Sequence, residues 1–226
     1  MRAILIAGSM ILLLSVPANA GPWPREEGKV FLSFSYETTT DLNGIALLDF
    51  DHAASAYGEY GLTPRLTFGI DLFRNLSASE QTSILFLRRA LARSDATHQF
   101  AISLGLGTTD AGAASQSLAM LGFSWGRGIS TGWGAGWTTV DAQARLTSSG
   151  DTQGKIDATL GISPTEDWKF IGQLQLDAAS GTDTTARLQT TAVRRLSSNL
   201  NLEFGLLYGL HNDSTAGLKS GLWLDF

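Results

Sequence analysis

Three histidines, His52, His98 and His211, are the obvious candidates for acid–base chemistry in a chain that contains no cysteine. A serine nucleophile needs a base within hydrogen-bond reach, and residues two apart on a strand share a face. Two positions after the histidines stand Ala54, Phe100 and Asp213; two before stand Phe50, Ala96 and Gly209. No such pair exists. His211-Asn212-Asp213-Ser214 has the composition of a triad, but four consecutive residues are a poor way to hold a base between nucleophile and acid, so it reads as a polar turn. Asp49-Phe50-Asp51-His52 carries metal-ligand types yet lacks the glycine turn and terminal acid of a calcium loop. Gly132-Trp133-Gly134-Ala135-Gly136 has glycine spacing without the following helix that would supply a phosphate site. Catalytic, cofactor and metal residues are therefore not assigned. What remains is a set of charged side chains and the elements that must position them.

Those elements repeat with a period of two. Val30, Leu32, Phe34 and Tyr36 alternate with Phe31, Ser33, Ser35 and Glu37; Leu66, Phe68, Ile70 and Leu72 alternate with Thr67, Gly69 and Asp71. The same rhythm runs through Phe100–Leu106, Ala119–Trp125, Ile156–Ile162, Phe170–Leu176 and Leu200–Leu210. A period of two marks strands with different surroundings on their two faces. Turn residues at Thr63-Pro64, Ser94-Asp95, Ser148–Asp151, Ser163–Thr165, Ser180–Asp183 and Ser197–Asn199 separate them, with a polar loop over 108–116 and a turn over Gly126–Gly132. The count is about twelve. A strand over Thr82–Leu91 is apolar throughout Ile84–Leu87, which leaves its phase open.

The final stretch alternates most tellingly: Leu218, Ser220, Leu222, Leu224 and Phe226 against Lys219, Gly221, Trp223 and Asp225. Here the chain resembles the bacterial outer-membrane β-barrel proteins, porin-like in plan, whose last strand alternates this way and ends in Phe. The resemblance implies that Phe226 is the assembly signal read by the outer-membrane assembly machinery. At the other end Arg2, the apolar run Ala3–Val16 and Ala18-Asn19-Ala20 have the form of a cleaved signal peptide. The expected organisation is a signal peptide over 1–20, a periplasmic leader over 21–28 and a barrel over 29–226.

The fold class expected is all-β: a single closed antiparallel up-and-down transmembrane barrel. Charged residues make up 16% of the chain, low for a soluble domain. If the first strand rises from the periplasm, Tyr60, Phe100, Trp125, Trp168 and Phe226 fall at the periplasmic ends of the apolar phase. Tyr36 and Tyr208 fall at the opposite ends, which makes two aromatic belts. Arg88-Arg89 and Arg194-Arg195 each put one arginine on the lipid phase, near the interface, where a long side chain can snorkel.

The apolar phase then faces lipid, and the polar phase lines the lumen. It carries Arg65, Arg145, Lys155, Lys169, Arg187, Arg195 and Lys219 opposite Glu59, Asp71, Asp141, Asp157, Asp177, Glu203 and Asp225. Twelve strands at ~4.8 Å spacing and ~40° tilt give a backbone radius of about 12 Å, which side chains reduce to a narrow pore. The expected function is a channel for small hydrophilic solutes or ions in the outer membrane, its partners being lipid and lipopolysaccharide, with no nucleic acid and no cofactor. The alternative is a non-conducting structural or surface-interaction barrel with an ion-paired lumen, with a lipid hydrolase third. Acids outnumber bases in the outer half, whose only cations are Arg74, Arg145, Lys155, Arg187 and Lys219.

Overall fold

The computed structural model describes residues 21–43, 49–78, 80–93, 95–110 and 115–226. The signal-peptide expectation over 1–20, and Ser94 of an expected turn, lie outside them. Twelve strands follow one another along the chain: β1 (Val30–Asp41), β2 (Asp51–Thr63), β3 (Leu66–Asn75), β4 (Glu80–Ala90), β5 (His98–Asp110) and β6 (Ser115–Thr131) form the first half. The second half is β7 (Gly134–Thr147), β8 (Thr152–Ser163), β9 (Trp168–Ala179), β10 (Thr185–Arg195), β11 (Leu200–His211) and β12 (Thr215–Asp225).

Each strand pairs with its neighbour in sequence, and β1 pairs antiparallel with β12 to close the barrel. The closing seam runs from Phe31 opposite Asp225 to Asp41 opposite Thr215. Phe226 completes it: its N–H donates to the Val30 carbonyl at 2.9 Å, and its own carbonyl accepts from Val30 N–H at 3.1 Å. Closure leaves no unpaired edge, so every backbone polar group of the wall can be satisfied without water.

Alternation alone is symmetric with respect to inside and outside, and the exposures agree with the assignment drawn from the aromatic and charged positions. Leu104, Leu106 and Leu206 are 62%, 72% and 60% exposed, whereas Thr67 and Ala101 are fully buried. The apolar phase points outward around the whole wall, which suits hydrocarbon and is far larger than a surface left in water. Tyr60, Phe100, Tyr208 and Phe226 stand on it towards the strand ends, and Tyr36, expected at an end, stands midway along the longer β1. Arg194 also lies on this outer phase, its guanidinium 5.2 Å from the centre of the Trp168 ring.

Three local expectations change. The open phase of β4 resolves with Ile84, Phe86 and Arg88 inward and Leu85, Leu87 and Arg89 outward. Its inner half is apolar because Ile84 and Phe86 pack with Leu118 and Met120 beside Tyr57, a small dry cluster inside the barrel. Phe86 lies flat against β3, where a β-carbon on Gly69 would come within 2.1 Å of the ring. Gly126–Thr131 is strand rather than turn: β6 and β7 run on to a two-residue reversal at Gly132-Trp133, since glycines in a paired hairpin still ladder. Much of the 108–116 loop is likewise strand, because β5 pairs with β6 as far as Asp110 opposite Ser115. Connections at the two ends of the barrel are consequently of mixed length, not alternately short and long.

Candidate functional site: the barrel interior

The end of the barrel that holds both described termini is closed by a segment expected to hang outside it. Residues 21–25 turn into the bore, so the leader lies within the barrel mouth rather than below it. Gly21, Pro22 and Arg25 are buried. Two inward-facing glycines admit the segment: a β-carbon on Gly126 would stand 2.7 Å from Pro22 and Trp23, and one on Gly61 would stand 2.0 Å from the Glu26 carbonyl. Gly28 N–H donates to the Gly61 carbonyl at 2.9 Å, and Gly61 N–H to the Lys29 carbonyl at 3.0 Å. No periodicity in Gly21–Gly28 signals this; the docking is decided by what the opposite strands leave empty.

Arg25 is the centre of that end. Its N–H donates to Thr67 Oγ1 at 3.0 Å, and its guanidinium reaches Glu59 at 3.2 Å and Asp225 at 3.4 Å. The same group lies 4.9 Å from the centre of the Phe31 ring. Glu59, whose side chain is wholly buried, also accepts from Arg88 Nη2 and from the Tyr57 hydroxyl. One carboxylate thus holds two buried guanidiniums, one of which comes from β4 and the other from the leader. Removing a single member of such a group strands charge in a dry site.

Beyond this cluster the bore widens into a cavity of about 340 Å³. Its wall is polar but internally answered. Arg145 stands 3.9 Å from Asp71, Lys155 3.0 Å from Asp157, and Lys219 3.3 Å from Glu203 and 3.8 Å from Glu37. Glu203 also accepts from Trp223 Nε1 at 3.0 Å. Between the charges runs a chain of amides, with Gln173 donating to Thr159 at 3.1 Å and Gln175 to Gln189 at 3.3 Å. Except in the buried Glu203, these pairs keep partial contact with solvent, so their coupling is weak compared with the closed end.

The expected interior residues fall into three groups. Asp71, Asp141, Arg145, Lys155, Asp157, Glu203 and Lys219 line the cavity. Lys169 and Asp177 are half-buried on the inward phase of β9, Asp177 level with Lys155 of β8. Arg187 stands at the far rim, where its Nε donates to Asp213 at 2.9 Å. One is a correction, and one reaches only the rim. Arg65 is exposed in the reversal between β2 and β3, because the strand ends at Thr63 and the phase no longer applies. Arg195 is exposed at the end of β10, 3.9 Å from Glu166, because the chain there has already reached the mouth. Sequence reasoning left out Arg25, Arg88 and Tyr57. Tyr57 was accessible as an aromatic on the polar phase; Arg25 carried no signal.

The histidines stand away from this interior. His52 stacks on Tyr36 with centroids 5.7 Å apart, its Nδ1 2.8 Å from the tyrosine hydroxyl. His98 stacks on Trp125 at 5.8 Å and accepts from the indole N–H at 3.2 Å. Both belong to the aromatic belts, and His211 is exposed at the end of β11. His211-Asn212-Asp213-Ser214 opens into the turn expected of it, with Asn212 in the left-handed region and Asp213 accepting from Thr215. No cluster of three or more His, Cys, Asp or Glu positioned for a metal occurs among the described residues.

No protein-family model matches the chain. No curated protein matches it either. Solved structures do. A KdgM porin superposes over 86% of this chain and 99% of its own with a TM-score of 0.64 at 7% identity. A NanC porin does so over 85% and 98%, with 0.56 and 11%. An outer-membrane channel from Pseudomonas putida F1 covers 93% of this chain and 99% of its own, with 0.55 and 13%. At these identities the likeness is one of architecture: the chain has the closed twelve-stranded fold of outer-membrane porins.

Proposed function

We propose that this protein is an outer-membrane channel for small hydrophilic solutes or ions, exported by a signal peptide that is removed after Ala20. The observation that carries the reading is the pairing of an apolar outer wall with a polar, charge-balanced cavity of about 340 Å³ inside it. A barrel built only for mechanical support has no need of a half-solvated charged interior, which polar solutes can exchange with water. The structurally similar porins support the same class of activity. One of them, a KdgM porin, was solved in complex with disordered oligogalacturonate. Here Arg145, Lys155 and Lys219 already face carboxylates, so a polyacidic chain would have to displace those partners. Small neutral or singly charged solutes meet no such cost.

Lipid and lipopolysaccharide are the surroundings proposed for the outer wall, and the outer-membrane assembly machinery is the partner proposed for β12 and Phe226. Planar-bilayer recording of the purified protein tests the channel. Discrete current steps are the expected result. A barrel that inserts, shown by heat-modifiable mobility, and stays silent would favour a structural role with the ion-paired interior as its filling.

A further inference from the structure

Gly21 is where the inward-turned leader meets an acid of the cavity. A β-carbon built on it would stand 3.5 Å from Asp141 Oδ2 and 3.0 Å from Thr139 Cγ2, and its φ of +98° is one that only glycine adopts readily. The amine nitrogen is bonded to the same Cα, so it too stands at this acid-facing point of the bore. Asp141 shares the cavity wall with Ser124 and Thr139 and forms no ion pair with Lys or Arg among the described residues. Nearby, the Arg88 guanidinium is bonded to Glu59, and the residue directly across from Asp141 on β8 is another acid, Asp157. The site is short of one cation.

We propose that removal of residues 1–20 creates that cation, and that the α-ammonium of Gly21 pairs with Asp141 inside the bore, latching residues 21–25 across it as a built-in plug. This rests on the cleavage and channel readings above. The latch has two further points of attachment, Arg25 on Glu59 and the Pro22-Trp23 pair seated over Gly126. Before processing, the same nitrogen is an uncharged amide and cannot make the pair. Cleavage therefore converts a passing segment into an anchored one. The position accepts glycine because its backbone is left-handed and Thr139 leaves no room for a side chain.

The test is the reactivity of the amine itself. Protein purified from outer membranes and reconstituted in phosphatidylcholine vesicles is treated with limiting N-hydroxysuccinimide acetate at neutral pH. The N-terminal peptide is then identified and its acetylation measured by mass spectrometry, with the exposed Lys29 as internal reference. Expected is a mature chain beginning at Gly21 whose amine reacts about tenfold more slowly than in urea, since an ion pair worth one pKa unit lowers the free-base fraction by that factor. Asp141→Asn, which keeps the burial and removes the charge, should raise the rate about tenfold over the wild type on the same argument. A variant with one serine inserted between Ala20 and Gly21 should do likewise while leaving Asp141 intact. A mature chain starting elsewhere, or a Gly21 amine equally slow in the wild type and Asp141→Asn, overturns the latch. Labelling reads the latch even in a barrel that never conducts. A rise in open-state current in Asp141→Asn relative to the wild type is the further expected result for a channel.

Discussion

The two ends of the interior use the same chemistry under different solvation. At the closed end, Glu59, Arg25 and Arg88 are buried to less than one-tenth exposure, and Thr67 and Tyr57 add hydrogen bonds to Arg25 and Glu59. In the cavity, Asp71 and Arg145 face each other at 3.9 Å with side chains 36% and 18% exposed. Coulomb attraction between like pairs differs severalfold between such sites because the effective dielectric differs. The closed end is therefore a structural joint, and the cavity is a surface whose charges can be changed without unfolding the wall.

The largest effect should come from breaking the joint. Glu59→Ala leaves Arg88 buried without its carboxylate and Arg25 with only the half-exposed Asp225, and should cost about 3–5 kcal/mol, read by urea unfolding in vesicles. A loss no greater than that of Asp71→Ala would erase the distinction between the two regions. Next comes the wall that separates both from lipid. Leu104→Arg or Leu174→Arg, mid-strand and outward, should cost about 2–4 kcal/mol, whereas Gln173→Arg, one position along and inward, should cost less. Equal penalties would mean the outer wall does not face hydrocarbon. Phe226→Lys removes an aromatic that is half-exposed on the outer wall, at the seam with β1, and should cost up to about 1.5–3 kcal/mol of burial in lipid. Its readout is the yield of heat-modifiable protein in the membrane.

Smaller still is the effect on the cavity. Asp71→Asn with Asp177→Asn should change stability by about 1 kcal/mol or less, the range of solvated pairs. Reversal potentials under a salt gradient should nevertheless move toward anions, and the difference should shrink as salt shortens the screening length from about 30 Å at 0.01 M to 3 Å at 1 M. Selectivity indifferent to both residues would remove them from the conduction path. The smallest effect concerns the far rim. Partial burial would raise the Asp213 carboxyl, but hydrogen bonds from Thr215 and the charge of Arg187 outweigh it and hold it below the usual carboxylate range. Its contribution is therefore fully present above about pH 4, the unfolded value, and is lost as pH falls through the lower folded value. Asp213→Asn should flatten that acid limb of the unfolding curve.

Much of this was legible before any coordinates. The alternation of Leu66, Phe68 and Ile70 against Thr67, Gly69 and Asp71 determined which residues share a face, because a strand has no other choice. The same rule placed Asp71, Asp157 and Lys219 together on one face of the closed sheet, once the polar phase was known to be the inner one. Where the rule ran out, the reason was local. Arg65 lies beyond the end of β2, where the backbone leaves the pleat and parity loses its meaning, and Arg195 keeps its phase but stands at the open mouth. On β4 the inner face is apolar, so parity carried no contrast.

The sequence by itself determined the number of strands, their pairing of faces and the polar character of one of them, all properties of a short-range period of two. Only tertiary structure decided how the wall closes, because the register of the seam depends on β1 meeting β12 across nearly the whole chain. It alone also decided that Gly21–Arg25 enters the bore. The bonds that hold Arg25 join it to Glu59, Thr67 and Asp225, positions 34, 42 and 200 residues away, and no local pattern encodes contacts at that range.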